Sequence, residues 1–127
     1  MTMAGATVFV CVSCKQDETQ SPRPGAMLHD AVSAEVSARG LDLQVTPVEC
    51  LSVCKRPCTI AFAAEGKWTY VIGDLEAGMH VDHIVTGAER YAASTNGIVP
   101  WRERPVPVRR GVVARVPPMH FKPGDPR

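Results

Sequence analysis

No apolar stretch in this sequence approaches the roughly 20 residues that a bilayer-spanning helix needs, so a helical membrane protein is excluded. The opening Met1-Thr2-Met3-Ala4-Gly5 has neither the cationic stretch nor the cleavage pattern of a secretory signal, and the expectation is a cytoplasmic protein of bacterial type. Charge of one sign is also missing. Lys plus Arg 14 against Asp plus Glu 13 leaves +1, too balanced to make nucleic acid the default partner. No paired carboxylates, nucleophile with a base or phosphate-binding loop stands out, so nothing compels an enzyme. There is no internal repeat. What is present is a chain of 127 residues, 45% hydrophobic and 21% charged, enough for one compact domain with a modest core and an appendage.

The pattern along the chain predicts an α/β domain over residues 1–96. Ala6 to Val12 is a short apolar, β-branched run that reads as a buried strand with Cys11 and Cys14 at its exit. Residues 15–25 are polar, with two prolines and a glycine, and form a loop. Met27, Leu28, Ala31, Val32, Glu35 and Val36 set a helical period from Ala26 to Arg39, which Gly40 ends as a cap. Leu41 to Val48 alternates as a second strand, and a strand, helix and strand of this length predict a right-handed parallel crossover. Both cysteine groups then reach one sheet edge. Residues 59–64 and 67–72, separated by Glu65-Gly66, predict a hairpin. Val81, Ile84, Val85, Ala88, Tyr91 and Ala92 predict a second helix, terminated by Asn96-Gly97. Trp68 and Tyr70 share a strand face, as core or interface residues do.

Residues 97–127 hold seven of the 11 prolines and seven of the 14 basic residues, so they predict a basic extension, extended or partly disordered. Within it, Trp101 needs cover, from the domain or from a second subunit. The arginines suit either a solubilising tail or docking to an acidic partner.

Five cysteines, an odd number in a reducing compartment, point away from a disulfide framework and towards metal or thiol chemistry. Their spacing is Cys11-x2-Cys14, 35 intervening residues, then Cys50-x3-Cys54-x3-Cys58. Thiolates two or three residues apart on a turning loop can bind one centre, and four soft ligands select an iron-sulfur cluster, zinc or cuprous copper. Zinc as a structural or handled metal stays open, although the spacing differs from a zinc ribbon. A dithiol oxidoreductase at Cys11-Val12-Ser13-Cys14 is a further alternative, but a proline-rich loop separates that motif from the helix terminus that would acidify it. His80 and His83, three apart, could ligate a metal and are more simply read as solvent-facing.

The segment Glu49-Cys50-Leu51-Ser52-Val53-Cys54-Lys55-Arg56-Pro57, after a strand and before a hairpin, resembles the second half of the cysteine motif of thioredoxin-like 2Fe-2S ferredoxins. The whole chain is similar to a bacterial family of predicted metal-binding proteins of that fold, often found in cobalamin-biosynthesis gene neighbourhoods. Val10-Cys11-Val12-Ser13-Cys14, Cys50 to Cys58, Gly66 to Tyr70, Gly73-Asp74-Leu75 and Val99 to Pro105 carry the likeness. The resemblance implies a thioredoxin-like fold with a mixed sheet flanked by helices. It also implies a 2Fe-2S cluster on Cys11, Cys14, Cys50 and Cys54, electron transfer to a redox partner protein without a membrane, and a homodimer. The first pair is closer spaced than in characterised ferredoxins of this kind, and Cys58 is additional. Cys58 is read as a spare, as an alternate ligand, or as an apolar residue at the start of strand three. Lys55 and Arg56 either tune the cluster or dock an acidic partner, or form a solvated turn; Pro57 shapes the loop.

Overall fold

A computed structural model describes residues 6–13, 23–53 and 56–125. The first apolar run forms β1 (Ala6–Cys11), and the first helical period forms α1 (Pro24–Arg39). The helix starts two residues before the expected Ala26, because Pro24 suits a first turn whose N–H groups have no intrahelical partner. It ends at Gly40, whose φ of 65° is left-handed and whose N–H closes on the Ser37 carbonyl. The chain returns along β2 (Leu43–Val48), parallel to β1 with Cys11 in register with Val48.

The hairpin forms as the turn signal predicts, with β3 (Ile60–Ala63) antiparallel to both β1 and β4 (Thr69–Ile72). Helix α2 (Val81–Ala93) follows and stops at Ser94, three residues before Gly97. Gly97 has a different task. With φ at 87° it lies so close to β4 that a Cβ would stand 2.7 Å from the Trp68 nitrogen.

Alternation along the strands puts Val8, Val10, Ile60, Phe62, Tyr70 and Ile72 in one buried layer with Leu28, Val32 and Val36 of α1 and Ile84, Val85, Ala88 and Tyr91 of α2. Arg39 joins the helices across their outer seam: its guanidinium meets Glu35 at 2.7 Å, Glu89 at 3.6 Å and Asp82.

The expectation that residues after 97 are extended or partly disordered, with proline blocking helix and ladder, is corrected within the described part. Trp101–Glu103 make a single 3-10 turn, Val106–Gly111 a short helix α3, and Val112–Val116 a strand β5 antiparallel to β4. The sheet order is β2-β1-β3-β4-β5. Proline does not block these elements. Pro107 sits in the first turn of α3, and 112–116 contains no proline, so its valines can extend the ladder.

The segment is also pinned by side chains. Arg104 lies over the Tyr70 ring at 5.1 Å, donates to the Tyr70 hydroxyl at 3.2 Å and to the Val99 carbonyl at 2.9 Å. Trp68 packs edge-on to Phe121 at 5.3 Å, with Arg115 over its ring. Trp101, for which a cover was expected, stays 62% exposed, with Arg109 stacked on it at 4.2 Å. Among the described residues no helix is long and apolar enough to cross a membrane.

Candidate metal centre

The parallel crossover decides where the sulfurs go. β1 ends at Cys11, and its register partner Val48 ends β2, so Cys50 emerges two residues later at the same sheet edge. Cys11 is 2% exposed. Its N–H bonds to the Thr59 carbonyl at 3.0 Å, and its thiol faces the Glu49 carbonyl at 3.7 Å and the Ser13 hydroxyl at 3.6 Å. The Cys11 sulfur therefore points towards the chain that carries Cys50.

Cys50 is exposed, and its sulfur accepts the Ser52 N–H at 3.2 Å. Ser52 has φ at 61°, the left-handed turn that brings this amide back onto the sulfur. An amide donated to a thiolate disperses its negative charge, as iron-sulfur centres use to adjust potential. Cys14, Cys54 and Lys55, all named from the sequence, lie outside the described residues.

Among the described residues no group of three or more His, Cys, Asp or Glu side chains comes together to hold a metal ion. What the fold does bring together is a buried and an exposed thiol at one edge, the second already accepting an amide. This soft donor set fits a cluster or zinc, and does not fit calcium or magnesium. The histidines are elsewhere: His80 Nδ1 accepts the Glu76 N–H at 3.0 Å at the entry to α2, and His83 is exposed.

Cys58 is 2% exposed and belongs to the core cluster, which favours the apolar-residue reading of its three. Burial, with added repulsion from Cys11 and Glu76, pushes its thiol up from 9.0 to about 11. In the unfolded chain the thiol ionises first while the folded one keeps its proton. The resulting stability is intact below pH 9 and lost as pH rises to about 11. For metal-free protein, chemical denaturation should therefore show a decline over this window, at most about 2 kcal/mol larger than in Cys58→Ala. Equal slopes in the two proteins would remove this account.

Sequence reading did not find how the loop is held. Arg56, read as tuning a cluster, docking a partner or forming a solvated turn, pairs through Nε with the partly exposed Asp74 at 2.8 Å. The signal was present only as Gly73-Asp74 beside a strand end.

The family described as "Protein of unknown function (DUF1636)" matches residues 8–118. No curated protein matches the chain. Among solved structures, the chain is similar to a thioredoxin-like [2Fe-2S] ferredoxin from Aquifex aeolicus at 19% identity, covering 91% of this chain and 97% of that one, with a TM-score of 0.57. A cysteine-to-serine variant of the Aquifex aeolicus ferredoxin matches at 17% identity, covering 86% and 98%, with a TM-score of 0.58. Likeness at this identity shows the fold, which is thioredoxin-like. With a match over most of its length, the chain belongs to the family of proteins of unknown function DUF1636.

Proposed function

We propose that the protein is an electron carrier holding one 2Fe-2S cluster through Cys11, Cys14, Cys50 and Cys54. The observation that carries this reading is the delivery of Cys11 and Cys50 to one edge of a parallel strand pair, with the Ser52 amide on the Cys50 sulfur. The fold, shared with a protein whose structure is titled a [2Fe-2S] ferredoxin, supports it. When bound, such a cluster supplies reversible one-electron chemistry. The chain's own residues hold it and set its surroundings. Cys11 would supply a ligand from the buried strand end, Cys50 one at the surface, and the Ser52 N–H on the Cys50 sulfur would offset thiolate charge. The partner on this reading is a redox protein, and the pathway to which the resemblance points is cobalamin biosynthesis.

The test is an absorption spectrum of anaerobically purified protein, with iron, acid-labile sulfide and zinc measured on the same sample. Broad visible absorption with iron and sulfide at about two each per chain is the expected result. A colourless protein with about one zinc and no sulfide, unchanged by anaerobic reconstitution, would replace it with a structural or metal-handling role.

A further inference from the structure

The loop that carries Cys50 returns to the sheet through residues 56–58, and these rest on the turn between β4 and α2. The Arg56 carbonyl accepts the Asp74 N–H at 2.9 Å and the Thr59 hydroxyl at 3.2 Å, while Arg56 Nε donates to the Asp74 carboxylate at 2.8 Å. Asp74 thus grips Arg56 by backbone and side chain together. Beside this pair, Cys58 and Leu75 exchange both backbone hydrogen bonds, each at 3.1 Å.

The seat is built to close tolerance. A Cβ on Gly73 would stand 2.7 Å from the Arg56 carbonyl oxygen and 3.0 Å from its Cβ, so only glycine lets the two loop segments approach. Asp74 follows at φ 60°, in the left-handed region where a non-glycine residue needs its surroundings to hold it. From behind, the Gly73 N–H donates to the Gly111 carbonyl at 2.8 Å, and a Cβ on Gly111 would be 2.5 Å from the Gly73 oxygen. The C-terminal segment therefore braces the same turn.

We propose that Gly73 and Asp74 are positioning residues for the metal centre: they form the seat that holds residues 56–58, where the chain from Cys50 rejoins the sheet, on the turn between β4 and α2, and so fix that end of the cysteine loop. The geometry stands by itself; its consequence for a metal rests on the cysteine assignment above. Arg56 acts within the seat, and its guanidinium is engaged there.

The test uses the full-length, metal-free chain with Gly73→Ala, Asp74→Asn and, as a control in the same connection, Gly78→Ala, whose added methyl would meet nothing within 4 Å. Three quantities are read: iodoacetamide modification of the Cys58 peptide by mass spectrometry, the thiolate-to-metal absorption on titration with cobalt(II), and the thermal midpoint. Gly73→Ala should speed Cys58 modification at least about 10-fold by opening the loop, and weaken cobalt binding by about 10-fold. Asp74→Asn keeps the turn and loses a partly exposed ion pair, so about a 3-fold faster modification and a shifted cobalt spectrum at nearly unchanged thermal midpoint are expected. Gly78→Ala should match the wild type. Modification within about 2-fold of wild type together with an unaltered cobalt spectrum in Gly73→Ala overturns the seat. If Gly73→Ala does not fold, the same null result in Asp74→Asn overturns it. A wild type that shows no thiolate-bound cobalt and takes up no cluster sinks the electron-carrier reading instead, while the modification rates still decide the seat.

Discussion

Cys11→Ala is expected to leave reconstituted protein without its visible absorption, with iron falling from about two per chain to near none. Cys11 sits at the buried end of β1 with its sulfur facing the Glu49 carbonyl, next to Cys50. Alanine supplies no ligand atom there. Serine is a milder probe because its oxygen can still ligate; Cys54→Ser should accordingly lose the centre or perturb it severely. Cys58→Ser should leave the visible spectrum largely intact, since that thiol lies in the core cluster ahead of β3. Iron, sulfide and absorbance on the three variants check this. Full colour in Cys11→Ala would sink the ligand assignment, and loss of colour in Cys58→Ser would bring Cys58 into the ligand set.

The largest effect on stability is expected from Tyr91→Ala, at about 3–5 kcal/mol. Tyr91 is wholly buried on α2, with its ring 5.7 Å from Phe62 and 6.0 Å from Tyr70. Its hydroxyl donates to the Trp68 carbonyl at 2.5 Å, just before β4 begins. The substitution leaves a cavity where helix and hairpin meet and strands that carbonyl, so two costs add. Thermal unfolding followed by circular dichroism should show a midpoint lower by roughly 10–20 °C. Tyr91→Phe isolates the hydrogen bond and should cost only about 1 kcal/mol. A midpoint within a few degrees of wild type for Tyr91→Ala would mean that the core closes over the gap.

The same tyrosine pair explains why the C-terminal segment folds onto the domain. Tyr70 is buried by α2 and by Tyr91, yet its hydroxyl remains to be satisfied. Arg104 and the Val99 N–H both donate to it, at 3.2 and 3.1 Å. The arginines counted as a basic tail therefore divide by role: Arg104 anchors the segment, Arg109 and Arg115 lie on tryptophans, and Arg102 and Arg110 are exposed.

Local pattern in the sequence determined the first two-thirds of the fold. Periods of two and 3.6, the Gly40 stop and the Glu65-Gly66 turn each act between near neighbours, and β1 to α2 appear where those signals lie. The cysteine spacing, with the crossover rule, also placed Cys11 and Cys50 at one edge. Tertiary structure decided what depends on distant partners. Val112 to Val116 becomes a strand because β4 offers it an open edge, a fact that no count of prolines in 97–127 contains. Gly73 must be glycine because the Arg56 carbonyl closes to 2.7 Å of where a Cβ would stand, Gly111 because the Gly73 oxygen closes on it, and Cys58 is a core residue because Leu75 pairs with it. A chain records in its order what adjacent residues prefer; which remote surfaces come within 3 Å of one another is set only when the layers have packed.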